Sequence, residues 1–283
     1  MRSWIFIEYA ENGSLSTFVD RHLEQYNGEV MPNRLLWRLF MCLIRGCLDM
    51  AYYNAQLDGR PVDLNTVNLN ALSSIKPGDL AHGDLGSHNI VLGPTEIDRT
   101  PEHYLTPILK LIDFGEAYLI DPKTDTFGRT GSQTNVRDIC RIMVYILLHD
   151  WRFFKEITIT ILGETFKTEG SAVYERHNEF LQAGVDIELL YLLYKGTSPD
   201  NSVIPGLVEL ARYVHERVMI RDDRGEERET DKAIKERVFS LIYDADTRPK
   251  KRGTDDDEME DTDMNEGETK RRRLDDDGDE VMT

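Results

Sequence analysis

Two short stretches of this chain carry residue types that can do chemistry at a spacing that makes the chemistry possible. The first is His82-Gly83-Asp84-Leu85-Gly86-Ser87-His88-Asn89, which leads into an apolar run, and the second is Leu109-Lys110-Leu111-Ile112-Asp113-Phe114-Gly115. Phosphoryl transfer from ATP needs a carboxylate to orient the attacking hydroxyl and oxygen ligands to hold Mg²⁺ on the phosphates, all on rigid supports. Asp84, Asn89 and Asp113 supply that set. A lone Asp-Phe-Gly is ordinarily a turn after a strand, but Asp84 and Asn89 placed before a second strand make it a candidate site.

The elements that must position these residues can be read from periodicity. Residues 89–92 and 108–112 are predicted strands, joined by a polar, proline-bearing loop over 93–107. Residues 4–9 read as a further strand that leaves into a turn at Glu11-Asn12-Gly13-Ser14. From Asn33 onward, Leu36, Phe40, Leu43, Cys47 and Ala51 recur every three or four residues, so a helix faces a core along that stripe. Residues 58–81 carry turn residues and weak periodicity and are expected to be a long loop. Helices are expected over 136–148, over 171–222 with an interruption at 196–205, and over 231–243.

Of 283 residues, 40% are hydrophobic, enough for a buried core, and 34 Lys+Arg against 52 Asp+Glu give a net charge of −18. Residues 247–283 carry 14 acidic and 8 basic side chains, net −6, which leaves −12 on the first 246. Both parts are acidic, so no nucleic-acid partner is expected. The longest apolar stretch, 139–148, includes Arg141 and is about half the roughly 20 residues a membrane span requires, so no membrane association is expected. Three cysteines, Cys42, Cys47 and Cys140, make no disulfide framework or metal-binding pair and point to a reducing compartment.

His-x-Asp-x-x-x-x-Asn followed by Asp-Phe-Gly resembles the catalytic-loop and magnesium motifs of the protein-kinase superfamily, most closely its Ser/Thr type. The resemblance implies an α+β fold, a protein-kinase-like C-lobe that is mainly α-helical with short β-hairpins. It implies Asp84 as catalytic base, Asn89 and Asp113 as Mg²⁺ ligands, ATP and Mg²⁺ as cofactors, and a protein substrate. It covers most of residues 4–243, within an expected domain of residues 1–246. Ile5 to Leu15 is similar to the last N-lobe strand and the hinge, with Ile7 at the gatekeeper position. The backbone of Glu8 and Ala10 would then face adenine, with Val91 beneath its ring. Thr134 to Cys140 is similar to the start of the central C-lobe helix, with Asn135 and Cys140 where the family usually has Asp and Gly. Asn135 keeps a carbonyl acceptor for the catalytic-loop backbone. His82 is expected to be structural, and His88 incidental.

The departures limit what the resemblance carries over. With Glu8 as hinge, only seven residues precede it, so the Gly-rich loop, the strand-borne Lys and its helical Glu partner are absent from the chain as written, which implies an impaired or truncated kinase. Gly83 stands where regulated protein kinases have Arg, and Gly86 where many place a Lys near the transferred phosphate, so two positive charges are gone. The Ala-Pro-Glu motif and the late C-lobe Arg that pairs with its Glu are both missing. Removing both partners of a buried ion pair can be neutral where removing one costs about 3–5 kcal/mol, so the joint loss reads as coherent variation.

Two rival readings remain. A pseudokinase or interaction scaffold is favoured by the missing N-lobe. A small-molecule kinase of the aminoglycoside or choline type is favoured by His82-Gly83-Asp84 and the short segment after Gly115, against the hinge run and Phe114.

Residues 247–283 hold charge blocks such as Asp255-Asp256-Asp257-Glu258 and almost no large apolar residue, so a disordered C-terminal tail is expected. Within it Lys250-Lys251-Arg252 and Lys270-Arg271-Arg272-Arg273 resemble nuclear-import signals, which implies an import receptor as partner and a nuclear rather than cytoplasmic location. The alternative is charge balancing in a polyampholyte.

Overall fold

The computed structural model describes residues 10, 12–57, 59–62, 68–94, 102–121, 123–151 and 155–243. The expected strand over 4–9, with Glu8 and Ile7, and the expected disordered tail lie outside the described residues. Contacts divide the chain into Met1–Thr247 and Arg248–Thr283, and all of the described residues belong to the first unit. Its fold is α+β, with about half of the described residues helical and the strands in small antiparallel pairs.

In chain order the helices are α1 (Leu15–Gln25), α2 (Asn33–Tyr52), α3 (Leu69–Leu72), α4 (Gly131–Leu148), α5 (Ser171–Glu175), α6 (His177–Gln182), α7 (Ile187–Gly196), α8 (Leu207–Ile220) and α9 (Asp231–Tyr243). The strands are β1 (Gln56–Leu57), β2 (Arg60–Pro61), β3 (Leu80–Ala81), β4 (Ile90–Leu92), β5 (Leu109–Leu111), β6 (Tyr118–Leu119), β7 (Ile157–Ile161) and β8 (Glu164–Thr168). They pair as β1 with β2, β3 with β6, β4 with β5 and β7 with β8.

The predicted stripe on α2 is buried throughout, but so are Arg34, Arg38 and Trp37 on its other faces. A helix buried on every face over 33–44 belongs at the centre of the core, and α2 packs on both α8 and α4, reaching the surface only in its second half at Asp49. Its first residue follows Pro32, which caps nothing with its side chain. The N–H groups of that first turn, which have no partner within the helix, are met instead by a carboxylate from far along the chain: Glu229 accepts from Asn33 N at 2.6 Å and Arg34 N at 2.9 Å. Asp186 adds a second anchor, accepting from Trp37 Nε1 at 2.7 Å and from Asn33 Nδ2, and pairing with Arg221.

α4 begins five residues before the predicted run because Thr130 and Gln133 form a reciprocal capping box. Midway along it Cys140 lies under Gly196 of α7, where any added Cβ would meet the Cys140 sulfur at 2.1 Å. The sulfur thus fills the gap that the glycine leaves, and the two helices approach closely there.

Two elements form where none was expected from the sequence, and one expected loop is structured. α1 follows directly on the expected turn at 11–14: Ser14 caps it, accepting from Thr17 N. Residues 58–81 are not one loop but hold β2, α3 and β3. The β7–β8 hairpin closes through Leu162 and Gly163, both at positive φ, the geometry of a two-residue primed turn. No described helix is long and apolar enough to cross a membrane.

α1 is tied to α9 through fully buried His22, whose Nε2 lies 3.0 Å from Arg237 Nη1. Burial above all, then the charge of Arg237 and the neighbouring His149, lowers His22 from its usual 6.5 to about 3. The neutral ring accepts from the guanidinium. Unfolded chains therefore hold more protons between these values, so stability contributed by neutral His22 is complete above about pH 6.5 and is lost as pH falls toward 3.

Two outcomes are expected. In urea unfolding, Glu229→Ala lowers stability by about 2–3 kcal/mol, because it strips a charged acceptor from two buried backbone donors, and Glu229→Gln loses less. Between about pH 7 and about pH 4.5 the wild type loses about 2–3 kcal/mol more than His22→Gln, which has no ring to protonate.

Candidate active site

The β4–β5 hairpin sets the frame. Its register pairs Ile90 with Leu111, Val91 with Lys110 and Leu92 with Leu109. One step further, Ile112 N donates to Asn89 O at 3.0 Å, so Asp113 begins one residue beyond the backbone partner of Asn89. The period of two in a strand buries Ile90 and Leu92 and leaves Val91 on the opposite, half-exposed face with Lys110. Asp113 turns the chain away from the strand in a left-handed conformation, φ 62°, which aspartate tolerates better than most residues, and its Oδ1 lies 3.4 Å from Gly115 N.

Asp84 is fixed by Asn89. The Asn89 amide nitrogen donates to both the Asp84 backbone carbonyl, at 2.8 Å, and its Oδ2, at 2.9 Å. Asn89 is itself buried, whereas the Asp84 side chain is about half exposed. With its nitrogen so committed, Asn89 has its carbonyl oxygen left to offer a ligand.

The loop that carries Asp84 is held from below. β3 pairs with β6 through Leu80 with Leu119 and Ala81 with Tyr118, which brings residues 82–83 against 116–117. Asn135 of α4, fully buried, bridges this junction: its Oδ1 accepts from His82 N at 3.1 Å and its Nδ2 donates to Leu80 O at 2.8 Å. His82 is also fully buried, 3.0 Å from Ile112 O through Nε2, with its ring 4.6 Å from that of Phe114. A carbonyl only accepts, so Nε2 carries the proton. His82 is thus the strut between the two motifs.

Gly83 has φ +82°, and a Cβ there would lie 2.0 Å from the carbonyl oxygen of Glu116. No side chain fits that gap, so the loop as folded cannot carry an arginine at this position.

Two features escaped the sequence reading. His88, treated there as incidental, puts its Nε2 3.6 Å from Asp84 Oδ2, in space that Gly86 vacates: a Cβ at 86 would stand 2.6 Å from the His88 ring. Only its distance of four residues from Asp84 hinted at this. Tyr145 of α4 bonds Asp20 of α1 at 3.3 Å and also the hydroxyl of Ser87 in the loop. Burial first, and then the Asp20 charge, push Tyr145 up to about 12, so it stays a protonated support. No pattern in the sequence marks this contact, because the partners come from three distant elements.

The residues expected to face a nucleotide are placed unequally. Glu8 lies outside the described residues, and Ala10 is half-buried. Residues 12–14 run along β4: Ser14 bridges Val91, Leu92 N donates to Gly13 O at 2.9 Å, and Asn12 Nδ2 donates to Gly93 O at 2.7 Å. The segment just after Ala10 therefore sits beside Val91. Among the described residues no cluster of three His, Cys, Asp or Glu side chains forms a metal site, and the site offers two carboxylates and an amide oxygen. No protein-family model matches the chain, and no curated protein matches it.

Asn135→Leu is expected to lower stability by about 2–5 kcal/mol in urea unfolding, since it leaves two buried backbone groups unpaired, and to expose residues 82–89 to proteolysis. Asn135→Asp keeps the acceptor for His82 and falls between.

Proposed function

We propose that this chain is a protein-kinase-like phosphotransferase domain that transfers the γ-phosphoryl group of ATP to a Ser or Thr hydroxyl of a protein. One observation carries the reading. Asp84 and Asn89 are clamped together at the head of one strand, and Asp113 leaves the adjacent strand one residue past the partner of Asn89. A carboxylate for the hydroxyl and two oxygen ligands thus come from one hairpin.

In this reading Asp84, half exposed and held by Asn89, orients the acceptor hydroxyl and takes its proton as the oxygen attacks the γ-phosphorus and the bond from that phosphorus to the β–γ bridging oxygen breaks, releasing ADP. Asp113 and the free carbonyl of Asn89 are the residues that would hold Mg²⁺, which when bound screens the phosphate charge. Ala10, Val91 and Glu8 would form the adenine side. His82, Asn135 and Tyr145 hold these groups in place, so little reorganisation is needed at the moment of reaction.

A second reading draws on Gly83, where the packed Glu116 carbonyl leaves no room for a side chain that could receive an activation-loop phosphate. It makes the acceptor a hydroxylated small molecule, with the same roles for Asp84, Asn89 and Asp113.

The test uses the full chain. Mg-ATP is expected to raise its melting temperature, an effect absent without Mg²⁺ and lost in Asp113→Asn. Asp84→Asn is expected to keep the shift and to lose phosphotransfer by about 10²-fold or more. Equal shifts in wild type and Asp113→Asn, or none in wild type, would overturn the proposal. Turnover with aminoglycosides or choline but with no protein acceptor would select the second reading.

A further inference from the structure

Away from this site, a cavity of about 670 Å³ opens between α9 and the turn at residues 103–106, close to Tyr26 at the end of α1. That volume is within the range of small-molecule sites. Tyr26, Leu105, Ala233, Val238 and Phe239 give it a largely apolar wall. Val238 is buried, and Phe239 is left largely exposed.

Its charged groups are not equivalent. Arg237 is committed: it bonds His22, pairs with Glu29 at 3.4 Å and lies 3.9 Å from the Tyr26 ring centroid. Glu236 reaches Lys232 at 3.9 Å, and behind the wall Arg34 pairs with Asp231 at 2.8 Å, neither of these two lining the cavity. The hydroxyl of Tyr104 is taken by Arg34 and Asp231. Lys235 differs from these cations. It is half-buried on the cavity wall, its amine 5.5 Å from the Tyr104 ring centroid, and no carboxylate among the described residues pairs with it. Thr106, on the same wall, is 2% exposed and its buried hydroxyl has no hydrogen-bond partner.

We infer that this cavity binds a small amphipathic carboxylate, its apolar body against Tyr26, Leu105 and Val238 and its anionic end on Lys235, with the Thr106 hydroxyl as second donor. An apolar wall alone would accept any greasy molecule. An uncommitted ammonium and an unmatched buried hydroxyl on that wall select an anion that can also accept a hydrogen bond. The Lys235 stem is half-buried and its amine stands beside the Tyr104 ring, so the positive charge is carried to the edge of the apolar wall.

The test is calorimetric titration of the full chain with decanoate and with decanol, its uncharged twin. Decanoate is expected to bind saturably at one site and to raise the melting temperature. Lys235→Met keeps the apolar stem and is expected to weaken decanoate about tenfold while leaving decanol unchanged. Thr106→Val weakens decanoate several-fold. Ala233→Phe fills the cavity from α9 and abolishes both. Absence of saturable decanoate binding would overturn the inference. So would full decanoate affinity in Lys235→Met, or in an Ala233→Phe protein whose ligand-free melting is normal. The proposed phosphotransfer plays no part in these readouts.

Discussion

The buried amide of Asn135 is the constraint on which the candidate site depends. Its two hydrogen bonds reach both sides of one short segment, the Leu80 carbonyl and the His82 amide. They fasten the start of the Asp84 loop to α4. That helix cannot slide, because the Thr130–Gln133 box fixes its first turn and the Cys140 sulfur is seated under Gly196 of α7. A loop bonded to such a helix inherits its rigidity. A neutral amide suits this post, since it satisfies a donor and an acceptor at once without burying a charge.

From there the order passes outward through few atoms. His82, held at its backbone by Asn135, reaches Ile112 with its ring, and Ile112 is bonded to Asn89 across the hairpin. Asn89 in turn holds Asp84. Asn135, His82 and Asn89 are buried, the link between them passes through the backbone of the exposed Ile112, and the Asp84 carboxylate emerges half exposed. Buried polar chains of this kind are costly unless every link is satisfied, and they lock one arrangement when it is. The Asp84 carboxylate is therefore held from the interior through Asn89.

Much of this was legible in the sequence, for identifiable reasons. The α2 stripe, the strands around 90–92 and 109–111 and the α9 helix at Asp231–Tyr243 follow from periodicity, which is a local property. The order of Asp84, Asn89 and Asp113 placed two turns at adjacent strand ends, and the hairpin register has them there. What was missed falls into two kinds. The Ser14 cap, the Thr130 capping box and the alternating Ile157–Ile161 run were written in the sequence but not weighed. The Glu229 cap on α2 and the Tyr145 support under Ser87 depend on three-dimensional adjacency, and no local pattern announces them; the closeness of His88 to Asp84 was hinted at only by their spacing of four.

The electrostatics of the proposed site follow from its glycines. Gly83 is forced by the Glu116 carbonyl, and Gly86 gives its space to the His88 ring, so neither position contributes a cation. The described contacts of Asp84 are to Asn89 and His88, and that of Asp113 is to Gly115 N, and a carboxylate repels a bare phosphate. On the proposed reading, the positive charge must then arrive with the nucleotide, as its metal ion. This makes the site more dependent on divalent cations than one that keeps its own lysine, and it gives Asp113 and the Asn89 carbonyl a larger share of the binding.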